Sequence, residues 1–90
     1  MAERFRLAGH IVCRETNTEL RMLFDRSKGV MYELNETASA IVELLEANPA
    51  TAKELVISLA EEFDANDDEI RGDVERLLAD FFDAGLLIKE

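Results

Sequence analysis

His10 is the only histidine in this chain and Cys13 the only cysteine. Zinc sites draw three or four ligands from Cys, His and carboxylates, and no Asp or Glu stands near His10 at a metal-ligand spacing. A single thiol allows no intramolecular disulfide, redox pair or zinc cluster, so Cys13 reads as a small half-buried apolar residue. Asp64, Asp67, Asp68 and Glu69 look calcium-like at first, but the spaced ligand pattern of a calcium loop is missing. Three of them stand where a helix begins, and there acids favour the dipole. The sequence has no glycine-rich phosphate loop and no nucleophile elbow. It therefore predicts no catalytic residue, no metal and no cofactor.

The formal net charge of -10 is unevenly spread. Residues 1–35 carry six basic side chains (Arg4, Arg6, Arg14, Arg21, Arg26 and Lys28) against five acids, whereas residues 36–90 carry four against fifteen. Such a field attracts a basic partner and repels a phosphate backbone. Ninety residues, 48% of them hydrophobic, are enough for one core, so residues 1–90 are expected to form a single domain that binds at a groove or an edge. The first residues lack the apolar run of a secretory signal, and no stretch reaches the length of a membrane span. A reducing cytoplasmic location is expected.

The elements that would position a binding surface can be read from the period of the apolar residues. Before residue 35 the pattern is short apolar–polar alternation, which predicts strands over about 10–34. Ile11–Arg14 forms one strand. Glu19–Asp25 forms a second, with Leu20, Met22 and Phe24 on one face. Val30–Leu34 forms a third, with Val30, Tyr32 and Leu34 opposite Met31 and Glu33. Gly29 is suited to a positive φ in the turn between the last two. Connections this short make the three strands an antiparallel meander.

Three helices follow over about 35–84. Asn35 is an N-cap, and Ala38, Ile41, Val42, Leu44 and Leu45 form an apolar stripe. Thr51 and Glu54 match a capping box, and Asn66 and Glu69 a weaker one. Ile70, Val74, Leu77, Leu78 and Phe81 recur at helical spacing until Gly85 stops the helix, after which Leu86–Ile88 can fold back on the core. The fold class predicted is α+β, a winged-helix-like domain with a three-stranded antiparallel sheet followed by a three-helix bundle.

A winged helix raises the possibility of DNA binding. The third helix argues against it, with Arg71 and Arg76 outnumbered by Asp67, Asp68, Glu69, Asp73, Glu75, Asp80 and Asp83. Protein or peptide binding is the better reading. The Val30–Leu34 strand is expected to be a free edge, open to a strand from another chain. Beside it the third helix should present Asp73, Leu77 and Asp80 along one rim, Leu78 and Phe82 along the other, and Ile70, Val74 and Phe81 between them. Tyr32→Pro is expected to remove an edge amide and abolish peptide binding.

Leu34-Asn35-Glu36-Thr37-Ala38 leading into Ala40–Leu45, Lys53-Glu54-Leu55 with Leu59–Asp64, and Asp73-Val74-Glu75-Arg76-Leu77-Leu78 closing on Gly85-Leu86-Leu87 resemble the ordered motifs of PqqD-like proteins, the RiPP recognition elements. The likeness runs from about Gly29 to Ile88, although the family often has tryptophan where this chain has Val42. The resemblance implies a non-catalytic chaperone for the leader segment of a ribosomally made precursor peptide, in pyrroloquinoline quinone, lasso-peptide or related biosynthesis. The leader would pair as a strand beside the third strand and lie against the third helix. The implied clamp is Val30, Met31, Tyr32 and Glu33 with Asp73, Arg76, Leu77, Asp80 and Phe81. The implied partners are the leader peptide and a modifying enzyme such as a radical SAM protein, with no nucleic acid or membrane. A chain of this length suggests a separate chaperone, as monomer or weak dimer. A winged-helix transcriptional regulator and an adaptor subunit are the alternatives.

Overall fold

Alternation in the first third of the chain folds it into paired strands, and the 3.6-residue period of the rest winds it into helices. The computed structural model describes residues 3–90. In chain order the elements are β1 (Arg4–Leu7), β2 (Ile11–Glu15), β3 (Arg21–Asp25), β4 (Val30–Glu33), α1 (Glu36–Ala47), β5 (Ala50–Thr51), α2 (Ala52–Glu62), α3 (Asp67–Asp83) and β6 (Leu87–Lys89). The expected meander is present as an antiparallel sheet in the order β2-β3-β4, and the three helices follow it.

A second small sheet was not anticipated. β1 lies at its centre, antiparallel to β5 on one side and to β6 on the other. Phe5 and Leu7 turn towards the core while Arg4 and Arg6 face water, so the period-2 signal was there in four residues. The return of Leu86–Ile88 to the core takes the form of β6 pairing with β1, and the Glu90 amide donates to the Arg4 carbonyl at 2.8 Å.

The helix ends follow their local chemistry. The Asn35 side chain accepts from the Ala38 amide. Thr51 and Glu54 form a complete reciprocal box. Asn66 departs from expectation: its side chain accepts from the Asp68 amide, not that of Glu69, so it is a simple cap without the reciprocal carboxylate. At the far end of α3, Gly85 has φ +79°, its amide donates to Phe82 and that of Leu86 to Phe81, the paired bonds of a Schellman stop.

Two apolar clusters meet along α1 and α3. One packs Ile41 and Leu45 of α1 with Leu55, Val56 and Leu59 of α2 and Ile70, Val74 and Leu78 of α3. The other packs the inner face of the meander, Ile11 and Leu23, on Ala38, Val42 and Leu86. Met22 and Phe24, with Leu20 just before the strand, are half-buried on the opposite side of β3, and the core takes Leu23 and Asp25. Arg21 fastens the sheet to α1. Its amide donates to the buried Ser39 hydroxyl at 2.9 Å, and its guanidinium reaches Glu46 at 2.9 Å, with Glu15 and Glu43 close by.

Thr51→Ala removes the oxygen that holds the Glu54 amide and should cost about 1 kcal/mol. For a domain of this size that lowers the melting temperature by about 4–8 °C. Thermal unfolding followed by circular dichroism measures the change directly.

Candidate functional site

The phase of the hydrogen-bond ladder determines which backbone groups β4 leaves open. The Thr16 amide donates to Leu20 and the Leu34 amide to Arg21. Antiparallel partners alternate between bonded and non-bonded pairs, so β3 turns residues 20, 22 and 24 towards β2 and residues 21, 23 and 25 towards β4. On β4 the groups of Val30 and Tyr32 are therefore spent on β3. Those of Met31 and Glu33 point away from the sheet, and among the described residues β4 has no strand on that side. The Tyr32→Pro expectation is thus corrected: proline there strikes the β3–β4 ladder itself, and the outward amides are those of Met31 and Glu33.

A turn built on one buried carboxylate sets β4 in place. Asp25, with no exposed surface, accepts from the Ser27 amide at 2.9 Å and the Lys28 amide at 3.0 Å through the same oxygen. The Gly29 amide donates to the Asp25 carbonyl at 2.8 Å, and Gly29 takes φ +70° as its position in the loop predicted. The second carboxylate oxygen has no hydrogen-bond partner among the described residues, but the imidazole Nε2 of His10 stands 3.7 Å away. Burial alone would push the Asp25 carboxyl up. The Lys28 and Ser27 amides, with His10 and Lys28 nearby, outweigh burial and hold it below its ordinary range. Sequence alternation could not find this residue, because an acid at a core-facing position breaks the apolar pattern.

Facing β4 across a cleft is α3. Its seam of Ile70, Val74 and Leu78 is buried against α2, which turns Leu77 and Phe81 towards the meander. Leu78 is core, not rim, and Phe81 is a half-buried flank residue rather than the centre of the stripe. Phe82 does lie on the opposite side, exposed, with the Lys89 ammonium 4.5 Å from its ring centre. Leu77 and Phe81 each pack on both core clusters and also line the cleft. They are at once core and cleft wall.

The cleft has a volume of about 430 Å³. Of the nine residues expected to form the clamp, it brings together Glu33, Asp73, Arg76, Leu77, Asp80 and Phe81. Val30, Met31 and Tyr32 continue the edge strand outside its lining, with Val30 and Met31 exposed and Tyr32 half-buried against the second cluster. Sequence reasoning missed the back wall, where Leu34, Asn35, Thr37 and Ala38 carry the chain from β4 into α1. At the other end of α3, the Lys28 ammonium donates to the Ala84 carbonyl at 3.2 Å and ties the β3–β4 turn to the helix terminus. A larger hollow of about 1020 Å³ lies between the β2–β3 loop, α1 and the end of α2, but it is not lined by β4.

Residues 21–87 match the family model described as Coenzyme PQQ synthesis protein D (PqqD). The chain belongs to the PqqD family. The matched span begins at β3 and ends in β6, so it contains β4, the cleft and all of α3. Two solved structures share the fold. TbiB1 in complex with the TbiA(beta) leader peptide superposes with a TM-score of 0.82 at 20% identity, covering 91% of this chain and 93% of that one. Lasso peptide synthetase B1 complexed with the leader peptide gives a TM-score of 0.77 at 25% identity, covering 93% and 96%. No curated protein matches the sequence.

Because the Asp25 pKa is depressed in the folded state, its contribution to the turn is complete above the unfolded value of about 4 and is lost as pH falls through the folded value. The Ser27 and Lys28 amide resonances should move together in that acid range. In Asp25→Asn, which keeps the acceptor oxygen but cannot titrate, those two resonances should not show that transition. NMR titration of both proteins checks it.

Proposed function

We propose that this PqqD-family chain binds the leader segment of a ribosomally synthesised precursor peptide and presents it to a modifying enzyme, without catalysing a reaction itself. The observation that carries the reading is the outward-facing backbone of Met31 and Glu33 beside a cleft floored by Leu77 and Phe81. An extended segment laid there gains main-chain hydrogen bonds from β4 and an apolar seat from α3, the two components of recognition by strand addition. Family membership and the leader-peptide complexes of two proteins with this fold support the same reading.

In this reading the clamp is Val30, Met31, Tyr32 and Glu33 with Asp73, Arg76, Leu77, Asp80 and Phe81. Val30 and Tyr32 keep β4 in register, Met31 and Glu33 offer the amides, and the helix residues form the opposing wall. The modifying enzyme would be a radical SAM protein in pyrroloquinoline quinone biosynthesis, or a peptidase or cyclase in a related pathway. The chaperone would work in the cytoplasm as a monomer or weak dimer. A DNA-binding role is disfavoured by the exposed acids of α3, Asp67, Asp68, Glu69, Asp73, Glu75, Asp80 and Asp83, which would repel phosphates.

Met31→Pro removes one outward amide and leaves the bonds of Tyr32 and Val30 to β3 intact. With a synthetic leader peptide that binds the parent chain, calorimetry should show binding weakened about tenfold or more, the loss of a main-chain bond together with a steric clash. An unchanged melting temperature shows that the fold has survived. Full affinity in a folded Met31→Pro variant would refute pairing at this edge.

A further inference from the structure

We propose that the leader segment carries a lysine or arginine two residues from the apolar residue that seats on Leu77, and that Asp73 and Asp80 select it. This rests on the strand-addition reading and adds the chemistry of the occupant.

The charges in the cleft are unspent. Among the described residues, none of Glu33, Asp73, Arg76 and Asp80 takes part in an ion pair, although all four line the cleft. Three carboxylates against one guanidinium leave the cleft anionic within a chain whose net charge is -10. The start of α1 on the back wall does little to offset this, since the Ala38 amide is taken by the Asn35 side chain and Glu36 adds another acid in the first turn.

Geometry fixes the spacing. Asp73 and Asp80 are seven residues apart on α3, about 10 Å along its axis, with Leu77 between them. An extended peptide rises about 3.3 Å per residue, and only alternate side chains face the helix. With an apolar side chain on Leu77, the next residues on that side lie two positions away, about 7 Å up or down the strand. Along the helix axis Asp73 lies about 6 Å to one side of Leu77 and Asp80 about 4.5 Å to the other. For a peptide running along α3, those positions fall nearest Asp73 in one direction and Asp80 in the other, whichever way the peptide runs. Arg76 sits on the same rim and leaves room for an acid at a neighbouring position, so the preference is for a basic residue in the pattern and not for a uniformly basic peptide.

The test is selection from a displayed library of random 15-residue peptides against the full chain, followed by NMR mapping of the enriched peptides. We expect peptides that shift β4 and α3 to be enriched in Lys or Arg two positions from an apolar residue. We also expect them to bind the D73N/D80N double variant about tenfold more weakly, with a smaller dependence on salt. Peptides that shift β4 and α3 with no basic preference, or with an acidic one, would overturn the cation assignment and leave strand addition standing. A selection whose peptides all leave β4 unshifted would overturn both.

Discussion

The hydrogen bonds between β3 and β4 decide what this protein can offer a partner. They consume the main-chain groups of Val30 and Tyr32 and, by the alternation of an antiparallel ladder, aim those of Met31 and Glu33 outwards. Sliding the register by one residue would exchange the two sets and turn Tyr32 from the core to solvent. The buried Asp25 carboxylate prevents this slip by fixing the turn that delivers β4, and the Asn35 cap prevents it at the other end by starting α1 after only two intervening residues. β4 is thus pinned at both ends and open along its outer side.

The opposite wall is equally constrained. Leu77 and Phe81 are held by the same clusters that stabilise the domain, so the cleft surface is an extension of the core rather than a decoration on it. The cleft wall is thus preformed, and ordering it would cost a partner seated on it little. Substitution of Leu77 or Phe81 would confuse loss of binding with loss of folding, whereas the charged rim of Asp73, Arg76 and Asp80 is free of structural duty.

Much of this was legible in the sequence. The meander, the three helices, the Asn35 and Thr51 caps and the positive φ of Gly29 and Gly85 each follow from local chemistry that a short window of residues contains. The Asp73, Leu77 and Asp80 rim followed from helical spacing alone. What escaped was non-local. Arg4–Leu7 becomes a strand only because Ala50–Thr51 and Leu87–Lys89 flank it, and four residues are too few to declare a period by themselves. Asp25 is buried because three consecutive loop residues turn back on it, a relation hidden in a pattern that counts acids as exposed. The direction of the β4 amides depends on pairing phase, which side-chain alternation does not encode, so the outward amides are those of Met31 and Glu33 and not, as the Tyr32→Pro expectation has it, that of Tyr32.

The most direct test of this account is amide hydrogen exchange resolved along β4 in the presence and absence of a bound leader peptide. The account predicts that the amides of Met31 and Glu33 exchange freely in the unbound chain and become protected on binding, while Tyr32 is already protected in both states. Protection that appears elsewhere, with Met31 and Glu33 exchanging as fast as before, would contradict it.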